Sequence, residues 1–480
     1  MSNIEKNVTS GFLWINLSRY VSTFINFAGG IYLARQIDPV YFGQQGLAFA
    51  YLSIIFVLGQ FGQEYDIIRS SEDEVEKVAG THMSIRIGLI ALVGLSLLVI
   101  YLFRVPLGLD NVYIYLFALY LSQSPSEIIS IYGLIMSREM LFKRLAFIDL
   151  TSSVISMTTA CILAYYDVKV WALVWLLMAQ HISTMILNFI LCPRRFCPKF
   201  DKKTALKSFH YGKHVFLYRL FSRSYAKLDD VAVGSLVNQT ALGFYQRAYG
   251  LSGYLQQLLF AGITAVTGPY FGKISADSEG LGKKFQFVGN LIVRVAISGY
   301  CAIAIVLPEL IEILYGKKWL PTVPLFRLLL PFAIVQSISM YLVNTQLVRG
   351  ESSAVSRSSF AALIVLLIFM FPLLHFYKAA GVAIAVDISA IVSMALLLWY
   401  MRAIMDFSIR KLFAAPLIAA SAGIICWLFL SSYFIVSGNL IMKLVTNLSI
   451  FGISYLAILI LVDYAYLRDV CYLFKNRLLT

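Results

Sequence analysis

Apolar stretches of about twenty residues recur along the whole chain, the length a helix needs to cross the hydrocarbon core of a bilayer. Short polar segments separate them. The pattern predicts helices over 11–34, 43–65, 82–103, 111–135, 146–166, 170–192, 213–236, 243–270, 286–308, 322–347, 355–376, 379–400, 412–433 and 444–466. In hydrocarbon an open backbone satisfies its own hydrogen bonds only as helix, so the expected class is an all-α integral membrane protein with about fourteen spans. The longest polar stretch, Pro193 to Gly212, is too short for a soluble domain. That argues against a receptor with an extramembrane sensor and against an enzyme with a soluble catalytic domain.

Composition agrees with this reading. Of 480 residues, 60% are hydrophobic and 13% charged, against about 25% charged in soluble domains. The first apolar stretch is too long for the core of a cleaved signal and is expected to stay as the first span. Six cysteines, Cys161, Cys192, Cys197, Cys301, Cys426 and Cys471, show no paired framework. Cys192 and Cys197 are the one close pair, with no second pair or histidine nearby to complete a metal site.

The net charge of +14 is distributed unevenly. With the N-terminus inside, alternate loops on that side carry Lys6; Arg69 and Lys77; Arg138, Lys143 and Arg144; Arg194, Arg195, Lys199, Lys202, Lys203 and Lys207. Further along, the same side carries Lys273, Lys283 and Lys284; Arg349 and Arg357; Arg402, Arg410 and Lys411; Arg468, Lys475 and Arg477. The opposite loops hold Arg35, Arg104, Lys169, Lys317, Lys318, Lys378 and Lys443. The positive-inside rule places both termini in the cytoplasm. Topology therefore accounts for most of the basic excess without nucleic acid.

It leaves Arg19, Arg86, Lys213, Arg219, Arg223, Lys227, Arg247, Arg294 and Arg327, which fall within spans or at their ends. A cation at a helix centre costs about 2.5–3.5 kcal/mol even on lenient scales, so such residues line water or pair. In the seventh span, taking Arg219 as zero, Arg223 falls at about 40°, Lys227 at about 80° and Asp230 at about 20°. All four share one sector, and Asp229 points elsewhere. One reading is a cationic stripe along a cavity. The plainer one is an internal Lys227–Asp230 ion pair with snorkelling arginines. Snorkelling also suits Lys213 and Arg86, and interfacial anchoring suits Arg247 and Arg327. A cavity lined by Arg219, Arg223, Lys227, Arg294 and Arg19 would suit a phosphate or pyrophosphate, which guanidinium binds in a bidentate manner. The intramembrane acids Glu127, Asp230 and Asp387 are candidates to carry a coupling proton or sodium, or to pair with a neighbouring helix. Asp463 reads as interfacial.

A repeat echo is present. Phe42-Gly43-Gln44-Gln45-Gly46 opens the second span and Leu242-Gly243-Phe244-Tyr245-Gln246 the eighth. Two six-helix lobes are expected, 1–192 and 213–400, joined by a linker at 193–212, with two added helices and a tail over 401–480.

Several short segments appear in the order found in one family. They are Ser10-Gly11-Phe12-Leu13-Trp14; Leu33-Ala34-Arg35-Gln36-Ile37-Asp38 with Phe42-Gly43; Ser137-Arg138-Glu139-Met140-Leu141-Phe142; Leu242-Gly243-Phe244-Tyr245; and Tyr315-Gly316-Lys317-Lys318-Trp319 followed by Pro324. In these the chain resembles the Wzx-type polysaccharide flippases, in particular the colanic-acid exporter branch, over about two thirds of its length. The resemblance implies the two-lobe fold of the multidrug/oligosaccharidyl-lipid/polysaccharide exporters and a place in the bacterial inner membrane. It also implies a partner, undecaprenyl pyrophosphate bearing a sugar repeat unit such as an O-antigen unit, flipped from the inner to the outer leaflet. The mechanism expected is alternating access, with an ion gradient resetting the carrier through an intramembrane acid. Membrane lipid and the polysaccharide polymerase machinery would be further partners; no cofactor and no metal are expected. The rivals are a multidrug exporter, whose cavity would be acidic and aromatic rather than basic, and a flippase for the peptidoglycan lipid precursor. A membrane polysaccharide polymerase would carry a large outer loop, which the pattern lacks.

Overall fold

The computed structural model describes residues 3–57, 67, 70–102, 112–274, 278–349, 351–433 and 439–478. The end of the second predicted span, Arg69, Arg104, and the side chains of Lys6, Lys213, Lys273, Cys471, Lys475 and Arg477 lie outside the described residues. Among the described residues the regular structure is helical throughout, as the apolar pattern requires. Eight of these helices are long and apolar enough to cross a membrane, or nine with one bent pair counted as a single span. The chain is an all-α, multi-span membrane protein.

Its contacts divide it into two units, Met1–Gln246 and Arg247–Thr480. The first contains α1 (Asn3–Gln36), α2 (Pro39–Val57), α3 (Val75–Leu102), α4 (Tyr113–Arg138), α5 (Phe142–Tyr165), α6 (Val170–Leu191), α7 (Lys202–Tyr225), α8 (Leu228–Leu236) and the head of α9 (Gln239–Ile274). Proline at the first position of α2 suits a site where the N–H has no helical partner. Tight turns with positive φ at Met140 and Lys169 reverse the chain between α4, α5 and α6. One core packs Val75, Ala79 and Met83 of α3 against Ile131, Tyr132 and Ile135 of α4, with Phe196 beneath them. A second joins Leu33 and Ile37 of α1 to Met157 and Ala160 of α5 and Leu173 of α6.

The second unit contains the rest of α9, α10 (Ser278–Leu314), a short 3₁₀ turn (Lys317–Trp319), α11 (Thr322–Leu328), α12 (Leu330–Val348), α13 (Ser352–Arg402), α14 (Ile409–Tyr433) and α15 (Leu440–Leu478). Here the apolar pattern is interrupted three times. The predicted span over 322–347 is bent by 57° between α11 and α12. Within α13, Lys378 has a non-helical backbone, which separates the two spans predicted at 355–376 and 379–400. Within α15, Asp463 breaks the helix near the end of the last predicted span.

Candidate functional site

The seventh predicted span is two helices. α7 ends at Tyr225, Ala226 closes it, and Lys227 has the backbone of a helix cap before α8. The angular stripe calculated for one continuous helix therefore holds for Arg219 and Arg223 but not through Lys227. Lys227 Nζ donates to Asp230 Oδ2 at 2.8 Å, as the plainer reading expected, and lies 5.7 Å from the centre of the Phe49 ring. Asp229, buried like Asp230, accepts from the Tyr245 hydroxyl at 2.9 Å and from the Asp230 N–H at 2.9 Å. Tyr51 and Ser235 share a hydrogen bond at 3.0 Å, which fixes α8 against α2. A buried acid pair with one lysine thus sits where the helix breaks.

Among the described helices α7 stands apart in its charge. Its sequence carries Lys202, Lys203, Lys207, Lys213, Arg219 and Arg223 and no acid. Arg219 is half-buried and Arg223 exposed. Arg19 of α1 is also exposed, about 100–160° around the helix from the apolar exposed stripe of Leu13, Leu17, Tyr20 and Phe24. An exposed arginine turned away from the lipid-facing stripe suits a polar lining.

The other predicted positions are held by partners distant in sequence. Arg86 is buried rather than snorkelling; its guanidinium donates to the Glu127 carbonyl and the Ser130 hydroxyl, with the Glu127 carboxylate at 3.8 Å. In the second unit Arg294 pairs with Asp463 at the break in α15 and stacks on Tyr466, its carbon Cζ 4.2 Å from the ring centre. Asp463 is therefore an internal ion-pair partner, where the sequence suggested an interfacial position. Asp387 accepts from the Phe332 N–H at 2.8 Å, filling an orphan donor in the first turn of α12 where the span bends. A carboxylate there also complements the helix dipole. Of the eight predicted site residues, Lys227 and Asp230 are brought into direct contact. Arg19, Glu127, Arg219 and Arg223 share their unit; Arg294 and Asp387 belong to the other.

One group went unnoticed in the sequence, and another was misread. Glu309, buried at 4% exposure, pairs with Lys443 at 3.1 Å and lies 3.5 Å from the Asn447 amide, which in turn accepts from the Trp427 indole N–H. An acid directly after Pro308 in an apolar helix is the signal that marks it. Arg247, read as an interfacial anchor, lies over Tyr315 at 4.9 Å and Trp319 at 5.0 Å. Gly316 between those rings has φ of +90°, a conformation that favours glycine. The Tyr315–Trp319 segment is thus a cradle for Arg247. The segment around Arg138 is equally structural. Arg138 donates to the Ile67 carbonyl at 2.8 Å and Glu72 at 3.0 Å, and Arg194 bridges Glu72 and Glu139.

These last contacts join loops that the charge pattern put on one side. The Arg194 and Arg138 guanidiniums hold the Glu72 carboxyl below its ordinary value. Asp201, which caps α7 by accepting from the Thr204 N–H and hydroxyl and pairs with Lys77 at 3.3 Å, is held at about 2. The segment before it is tied down by Lys199 N–H donating to the Gly80 carbonyl at 3.1 Å and by Tyr132 and Phe196.

Known proteins resemble this chain. Residues 32–324 match the family described as "Polysaccharide biosynthesis protein". The teichuronic acid biosynthesis protein TuaB of Bacillus subtilis is 23% identical over 200 residues, and the match spans 41% of each chain. The lipopolysaccharide biosynthesis protein WzxC of Escherichia coli is 20% identical over 347 residues, 70% of this chain and 69% of that one. The expected Wzx-type resemblance is borne out. Among solved structures, the lipid II flippase MurJ in an inward closed conformation superposes with a TM-score of 0.75 at 16% identity, covering 96% of this chain and all of that one. An inward-facing multidrug transporter of the MATE family gives 0.60 at 14% identity over 80% of this chain and 94% of its own. The chain shares the fold of these two transporters. With the family match running from the end of α1 into α11, the chain belongs to the polysaccharide biosynthesis protein family.

Proposed function

We propose that this chain is a flippase for undecaprenyl-pyrophosphate-linked oligosaccharide repeat units in the bacterial inner membrane, with both termini cytoplasmic. The observation that carries the reading is α7, a helix with six lysines and arginines and no acid, in a chain of the polysaccharide biosynthesis family. Arg219, Arg223, Lys227 and Arg19 receive the pyrophosphate. Guanidinium suits this group because it offers paired donors at fixed geometry and never loses its charge. The sugar head occupies water while the polyprenyl tail stays in lipid along the last two helices. Alternating access then exposes the site to the other side, and an ion taken up at Asp230, Asp387 or Glu127 resets the carrier. A deletion strain tests the assignment. It should accumulate single pyrophosphate-linked repeat units on the inner leaflet. One exported but unextended unit would indicate a polymerase instead, and accumulated peptidoglycan precursor would move the substrate to that pathway.

A further inference from the structure

We propose that the head of α7, with the extended segment leading into it, is a docking surface for anionic phospholipid headgroups at the bilayer surface. The inference does not depend on the transported substrate. Lys202, Lys203, Leu206, Lys207 and Phe209 are all exposed, as is Phe200 just before the helix. Around the axis, Lys202, Leu206, Lys203 and Lys207 fall within about 140° of one another, with Phe209 about 20° beyond Lys202. Ser208, on the opposite side, is buried. Cations therefore alternate with large apolar groups on one face: Phe200 is 61% exposed, Leu206 60% and Phe209 54%.

That alternation fits neither of the two bland alternatives. A face turned to bulk water has no use for three bare apolar side chains, and a face turned to acyl chains would not hold three lysines. It fits the headgroup layer, where apolar groups dip toward the acyl boundary and lysines meet phosphate. The charge is one-sided. Between Arg194 and Lys207 the chain carries six basic residues and one acid, Asp201. That acid is turned to Thr204 and Lys77, and the nearby Glu72 is taken by Arg138 and Arg194. The platform is also fixed in place. The Asp201 cap, the Lys199–Gly80 hydrogen bond and the Tyr132–Phe196 contacts anchor the segment to α3 and α4, so binding there orders little new backbone. Charge complementarity thus selects anionic over zwitterionic lipid.

The test uses the full-length purified protein in detergent with equal amounts of phosphatidylglycerol and phosphatidylcholine, and counts retained lipid by native mass spectrometry. Preferential retention of phosphatidylglycerol is expected. K202Q/K203Q/K207Q should lower the phosphatidylglycerol-to-phosphatidylcholine ratio at least fivefold, whereas K317Q/K318Q should leave it unchanged. Equal retention of both lipids by the parent chain, or an unchanged ratio in the triple variant, overturns the proposal. If the triple variant does not fold, a photoactivatable phosphatidylglycerol on the parent decides: labelling within residues 200–209 supports the site, and labelling elsewhere alone overturns it.

Discussion

Gly43 and Gly243 make the same contact in both directions. A Cβ at Gly43 would strike the Gln239 carbonyl, and one at Gly243 would strike the Pro39 carbonyl, each partner shifted by the same interval along the chain. One turn further on, Gly46 lies against the Gln246 side chain. The heads of α2 and α9 therefore meet about a local pseudo-twofold axis, the reciprocity of an isologous interface. The faint repeat in the sequence, Phe42-Gly43 and Leu242-Gly243, marks this crossing. Because the obstructing atoms are backbone, they cannot rotate aside. Gly43→Ala and Gly243→Ala should each destabilise the purified protein by about 1–3 kcal/mol, the usual cost of overpacking. Gly88→Ala, in open space on α3, should be neutral or gain up to about 1 kcal/mol from helix propensity. Thermal unfolding of the three variants checks the ordering.

Asp387 and Phe332 separate two roles for one carboxylate. As a cap for the first turn of α12, Asp387 needs an acceptor rather than a charge. Asp387→Asn should keep most of the stability, while Asp387→Ala should cost about 0.5–2 kcal/mol. If Asp387 also carries the coupling ion, Asp387→Asn abolishes transport in a protein that still melts normally. Unfolding and export assays on the same pair of variants read the two roles apart.

The Arg294–Asp463 pair holds the broken end of α15 to α10. Arg294 is 5% exposed, so Asp463→Ala leaves a charge without its counter-ion, at about 3–5 kcal/mol. Arg294→Met combined with Asp463→Leu should recover most of that loss. A double-mutant cycle with near-additive losses would show that the pair does not act as a unit.

The basic end of the first unit should loosen in acid. Asp201 and Glu72 both titrate below their unfolded values of 3.8 and 4.5. Their contribution is complete above those values and is lost as pH falls through the folded ones, toward about 2 for Asp201. Nothing should change between pH 6 and 8 from this source. Hydrogen exchange over residues 192–209 should accelerate between roughly pH 4 and 2. Asp201→Asn should raise the exchange at neutral pH and flatten the profile.

The helical, multi-span class was legible in the sequence because the bilayer fixes the length and apolarity of a span. Glu72, Arg138, Glu139 and Arg194, from loops that the charge pattern assigned to one side, meet in one cluster. What escaped was whatever depends on a partner distant in the chain. Arg86 with Glu127, Arg294 with Asp463, Glu309 with Lys443 and Asp387 with Phe332 each join different helices, and helical periodicity carries no information about such pairings. The break at Ala226 escaped for another reason. No proline or glycine marks it, and the phase calculation assumed a continuous helix. The family segments around Gly43, Arg138 and Trp319 turn out to hold the fold together, which leaves the cations of α7 as the distinguishing chemistry.

Those cations set the decisive measurement. In a strain lacking the chromosomal copy, surface polysaccharide and lipid-linked intermediates are measured with the parent chain and with Arg219→Ala/Arg223→Ala supplied at equal membrane abundance. The parent should restore polysaccharide, and the double variant should leave single pyrophosphate-linked units on the inner leaflet. Normal polysaccharide output from the double variant would contradict the claim that α7 receives the anionic headgroup.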